Sequence, residues 1–131
     1  MQRSPILQPL SREHHHALKL AKLCERAAVS GDTEQIDSAC AEALRTFAAE
    51  LEQHFQFEER ELLPGLQAER AQALVQRTLA EHAQLRALCG GLVSRDVAAL
   101  AEFAGLLYAH VRFEERELFP CVETELARQH S

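Results

Sequence analysis

The chain contains no tryptophan, one tyrosine and one methionine, and only five glycines and four prolines in 131 residues. Valine, isoleucine and threonine are scarce as well. So few β-branched and turn-forming residues argue against sheets and long loops. Lysine and arginine number 14 against 20 aspartates and glutamates, a formal charge of −6, and no two of the basic residues are adjacent. Neither a nucleic-acid face nor attraction to an anionic membrane is expected from such a balance. No apolar run approaches the ~20 residues needed to cross a bilayer. The opening Met-Gln-Arg-Ser-Pro-Ile-Leu also lacks the apolar centre of a secretion signal. Four cysteines, Cys24, Cys40, Cys89 and Cys121, form no Cys-x-x-Cys pair and read as buried thiols of a reducing compartment. The expected location is the cytoplasm.

What is abundant is alanine, leucine and glutamate. All three are strong helix formers, so the expected fold is all-α in a single domain over residues 1–131. Pro5 and Pro9 precede a first helix of about 11–29, with Ser11 as its N-cap. A turn at Ser30-Gly31-Asp32-Thr33 leads to a second helix of about 33–63, stopped by Pro64-Gly65. A third runs over about 69–89 to Gly90-Gly91. The fourth covers about 94–119, before Pro120, with a further turn or two over 122–127. Four helices with short connections suggest an up-down-up-down four-helix bundle.

Two segments are near copies. HFQFEERELLP starts at His54 and HVRFEERELFP at His110, and eight of the eleven positions are identical. Upstream of each copy lies a Glu-His pair, Glu13-His14 and Glu81-His82. The chain therefore reads as two hairpins of one design. Each has a histidine on its first helix and His-x-x-x-Glu on its second. Residues i and i+4 share a helix face, so His54 with Glu58, and His110 with Glu114, can converge on one point. Two ionised glutamates in a bundle core would repel each other, and divalent cations remove that cost. Nitrogen and oxygen donors without thiolate suit iron well, with manganese or zinc possible. His82 lies on the apolar face of its helix. Among His14, His15 and His16, a step of about 100° per residue favours His14, with His15 next. His16 and His130 read as surface residues. Glu61 and Glu117, each two turns past its histidine, could add to the same face, and Tyr108, the only phenol, could lie near it.

These residues resemble the hemerythrin family in its HHE cation-binding branch. The likeness runs from Glu13-His14 through His54-x-x-x-Glu58-Glu59 and Glu81-His82 to His110-x-x-x-Glu114-Glu115 and Phe119-Pro120. It implies a four-helix bundle around a non-haem centre of two iron ions. His14 and His54 would hold one ion, His82 and His110 the other, and Glu58 and Glu114 would bridge them. The chain departs from the oxygen carriers of the family at Arg86, where they place a further histidine. It also has a glutamate at i+4 from His110 where they have an aspartate at i+5. The implied function is binding or sensing of dioxygen, nitric oxide or iron. A small di-iron enzyme acting on peroxide or another oxidant is an alternative, and a metal-free or zinc-holding interaction module a second. The protein partner is not legible.

Overall fold

A computed structural model describes residues 3–129, so His130 lies outside the described residues. The described chain is helical throughout, with no strand, and its four rods form a four-helix bundle. The first rod is α1, Gln8–Ser30. The second, residues 33–62, joins α2 (Thr33–Thr46), a π-helical turn (Phe47–Leu51), α3 (Glu52–Phe57) and a second π turn (Glu58–Leu62). The third is α4, Gln72–Val93, entered through a 3-10 turn at Glu69–Ala71. The fourth, residues 97–129, joins α5 (Val97–Phe113), a π turn (Glu114–Leu118) and α6 (Phe119–Gln129).

Helix ends follow local chemistry, and several differ from the sequence expectation. α1 begins at Gln8 rather than Ser11, with Pro9 in its first turn, where no amide donor is needed. Ser11 caps nothing: its hydroxyl donates to Glu115. α1 stops where Gly31 takes a left-handed conformation (φ 69°). Asp32 and Asp96 cap the next starts by accepting from the amides of Glu34 and Ala98, each at 2.9 Å.

α4 does not end at Gly90-Gly91 but continues to Val93. Gly91 serves packing there, since a Cβ at that position would lie 2.4 Å from the Ala99 Cβ of the fourth rod. The fourth rod does not end before Pro120 either. Its π turn shifts the hydrogen bonding by one residue, so the Phe119 amide donates to the carbonyl of Glu114. In that register Pro120 leaves the Glu115 carbonyl without a backbone donor, and the Arg3 guanidinium supplies one.

The apolar interior has two parts. One gathers Ala17, Leu20, Cys24, Leu51, Phe55, Leu85, Leu107 and Val111, among others. The other gathers Leu7, Leu10, Leu62, Val75, Phe113, Leu118 and Phe119. On every rod a buried histidine lies between the two: His14 between Leu10 and Ala17, His54 after Leu51, His82 between Val75 and Leu85, His110 after Leu107. A polar layer thus crosses the bundle between two apolar ones. All four cysteines are free, and burial pushes the Cys24 thiol up to about 12. No described helix is long and apolar enough to cross a membrane.

Candidate metal centre

The polar layer contains the six side chains singled out in the sequence. His14, His54, His82 and His110 are at most 4 % exposed, and Glu58 and Glu114 are fully buried. One ligand atom from each of His14, His54, Glu58 and Glu114 falls within 4.8 Å of the others. The same holds for Glu58, His82, His110 and Glu114, so the two carboxylates belong to both groups.

All four rings point Nε2 inward. His14 Nε2 and Glu114 share a hydrogen bond of 2.8 Å, and His54 Nε2 and Glu58 one of 3.0 Å. His82 Nε2 lies 3.0 Å from Glu58, and His110 Nε2 lies 3.1 Å from Glu114. These two approaches are close but not aligned as hydrogen bonds. They leave His82 Nε2, His110 Nε2, Glu58 Oε1 and Glu114 Oε2 buried without a partner.

Each Nδ1 points outward to a second glutamate. His14 meets Glu115 at 2.6 Å, His54 meets Glu13 at 2.8 Å, His82 meets Glu59 at 2.8 Å, and His110 meets Glu81 at 2.7 Å. None of the four glutamates serves the histidine nearest to it in sequence. The signal was present in the Glu-His pairs and the Glu58-Glu59 and Glu114-Glu115 doublets, but spacing alone does not say that one carboxylate of a doublet turns to another rod.

Aromatic rings wall the layer. Phe55 stacks on His82 at 4.0 Å between centroids, and Phe119 stacks on His14 at 5.2 Å. Phe113 and Leu51 are buried nearby in sequence. Other candidates fall elsewhere. His15 and His16 are exposed, the latter 3.2 Å from Glu50. Tyr108 is 45 % exposed under the Arg112 guanidinium. Glu61 and Glu117 are also exposed. Two regular turns return a side chain to nearly the same face of an α-helix, but the wider π turns at Glu58–Leu62 and Glu114–Leu118 break that register. Arg86 binds Glu52 and Glu59 with contacts of 2.8 to 3.2 Å instead of facing the centre.

The electrostatics follow from burial opposed by pairing. Desolvation would lower the imidazole pKa values, but the surrounding carboxylates outweigh it. His54 is pushed up to about 12, His110 to about 10, and His14 and His82 also upward. Burial and the neighbouring Glu114 charge raise Glu58. Burial would raise Glu114 too, yet His110 and the hydrogen bonds from His14 and His54 hold it well below the ordinary carboxylate range. The hydrogen bond from His54 lowers Glu13, and Glu59, Glu81 and Glu115 stay low despite burial through their histidine and other donors. With the outer carboxylates ionised, each Nδ1 keeps its proton, and Nε2 is the atom that a cation can take.

A family model described as the hemerythrin HHE cation binding domain matches residues 6–122. The chain belongs to the hemerythrin HHE cation-binding family. Comparison with curated proteins and with solved structures returns no match. The residues present fit a cation centre on chemical grounds. An HHE domain with four unpartnered inward-facing atoms, two shared carboxylates and imidazoles fixed with Nε2 inward offers what hard-to-borderline divalent ions take.

Proposed function

We propose that this HHE domain holds two iron ions. His14 and His54 bind one, His82 and His110 the other, and Glu58 and Glu114 bridge. The observation that carries the reading is the set of buried, unpartnered donor atoms at the middle of a layer otherwise satisfied by hydrogen bonds. Leaving such a group unsatisfied costs about 1–3 kcal/mol, and coordination relieves it. An up-and-down bundle accounts for the arrangement. Rods one and three run from the Leu10/Val75 apolar part toward the Ala17/Leu85 part, and rods two and four run back.

A pair of ferrous ions supplies redox equivalents to a small oxidant and an attachment point for dioxygen or nitric oxide. The chain's own residues set the conditions for that chemistry. Each position would offer an ion two imidazoles and two shared carboxylates, a protein donor set small enough to admit a further small ligand. Phe55 and Phe119 exclude water from the imidazole faces. The outer glutamates hold the rings in one tautomer. We assign the protein to binding or sensing of dioxygen, nitric oxide or iron in the cytoplasm, away from nucleic acid and membranes.

Metal analysis after production in iron-replete medium tests the assignment. The expected content is about two irons per chain. Manganese in their place would keep the dinuclear site and change its metal. One zinc or no metal would overturn the reading and favour an interaction module. Turnover of peroxide by the loaded protein would make it an enzyme instead.

A further inference from the structure

This inference rests on the dinuclear reading. The two positions have the same ligand types, two imidazoles and two shared carboxylates, yet their surroundings differ in three independent ways.

The first difference lies in the inner hydrogen bonds. His14 and His54 have aligned partners in Glu114 and Glu58, which a cation there would have to replace. All four unpartnered atoms face the other position: the Nε2 atoms of His82 and His110, and the Glu58 and Glu114 oxygens beside them. A cation between His82 and His110 replaces two misaligned contacts, whereas one between His14 and His54 has to break two aligned ones.

The second lies in the bracing. Glu59, which holds His82, is pinned by Arg86 at 2.9 Å, and Glu81, which holds His110, by Arg77 at 2.9 Å. On the other side Arg3 pins Glu115. Glu13, which holds His54, has no arginine or lysine within ion-pair distance among the described residues. It is also the most open of the four, at 41 % against 30 % for Glu115, 24 % for Glu59 and 13 % for Glu81.

The third is access. Two of the surface clefts beside α1 touch the polar layer. One of about 220 Å³, lined by Pro9, Leu10, Gln53 and Phe57, ends on Glu13 and His54. The other, of about 180 Å³, ends on His14 and Glu115. Neither is lined by His82 or His110; the contrast lies in the clefts, since all four imidazoles are at most 5 % exposed.

We infer that the centre has one resident and one exchangeable ion: the His82–His110 position fills first and retains its cation, while the His14–His54 position trades its cation with solution through the cleft at Glu13. Glu13 is the positioning residue of that passage. It braces His54 when the ion is in place, and its carboxylate is the group an arriving cation meets on the way in. The site thereby suits a protein whose occupancy reports the supply of iron.

The test loads the full chain anaerobically with ferrous iron and follows release to excess of a coloured iron(II) chelator. Two phases are expected, about one equivalent each, with rates separated about tenfold or more. Glu13→Gln accelerates the fast phase and leaves the slow one unchanged. Arg86→Gln, which frees Glu59, accelerates only the slow one. Gln53→Phe, an exposed position whose larger side chain narrows the cleft, slows the fast phase without altering the total iron. Release of both ions in a single phase, or a fast phase that responds to Arg86→Gln and ignores Glu13→Gln, overturns the inference while leaving two ions bound. Loading of fewer than two ions instead overturns the dinuclear reading beneath it.

Discussion

Glu13 accepts a hydrogen bond from Nδ1 of His54, 2.8 Å away on the second rod, and not from His14 beside it in sequence. The same step repeats around the bundle. Glu59 on the second rod braces His82 on the third, Glu81 on the third braces His110 on the fourth, and Glu115 on the fourth braces His14 on the first. Each rod fixes the imidazole of the next, and the series closes on itself.

The inner set is tested by truncation. His54→Ala and His110→Ala should each lower the iron content by about half or more, since each removes one of two imidazoles at a position. His16→Ala should leave loading unchanged, because that ring is exposed and meets only Glu50. Iron content by elemental analysis reads the difference, and equal loading in all three variants refutes the ligand assignment.

Cation affinity should rise with pH. The carboxylates around His54 and His110 raise their pKa values to about 12 and about 10, so a cation must displace protons from the inner nitrogens across the neutral range. Chelator competition between about pH 6 and about pH 8 should show tightening of up to about tenfold per pH unit for each proton displaced. A flat profile contradicts the assignment of protons to Nε2.

The metal-stripped protein should show the opposite slope. Imidazoles that titrate near about 6.5 when unfolded are held charged in the folded layer. Their stabilisation is therefore complete below about 6.5 and is lost as pH rises through the values of His110 and then His54. Denaturant unfolding of the stripped chain at increasing alkaline pH measures the decline, while Glu114, held low, adds a loss only on strong acidification.

Gly91→Ala should destabilise the fold by about 1–3 kcal/mol, because the new methyl meets the Ala99 Cβ at 2.4 Å and the third and fourth rods must part. Thermal unfolding checks this, and Gly90→Ala, with nothing within 4 Å of its Cβ, is the matched control.

Asp32→Ala and Asp96→Ala should each cost about 1 kcal/mol by removing a carboxylate that caps the second or the fourth rod. Denaturant unfolding measures the loss. Both lie far in sequence from the histidines, so iron content should hold in the folded fraction.

Much of this arrangement was legible in the residues. Composition indicates helices, and the repeated His-x-x-x-Glu places a ring and a carboxylate on one face. The helical step separates buried His14 from exposed His15. The rest depends on backbone and packing. Pro120 and Gly91 read as stops, yet one follows a π turn and the other admits a neighbouring rod. Those π turns also displace Glu61 and Glu117 from the face a regular helix would give them. The outer glutamates escaped notice because they serve partners on other rods, and a single-helix pattern carries no information about its neighbours.

The closed bracing has a consequence for chain architecture. The first hairpin alone, α1 with the second rod, owns two imidazoles and Glu58, but the carboxylates that complete and brace its half, Glu114 and Glu115, come from the other hairpin. A polypeptide of half this length could reproduce the arrangement only by pairing with an identical copy across a twofold axis. The duplicated phrases at His54 and His110 place the two similar halves in one covalent chain. One chain is free to brace Glu81 with Arg77 and leave its counterpart Glu13 without an arginine or lysine among the described residues, a difference that a symmetric pair of identical chains forbids.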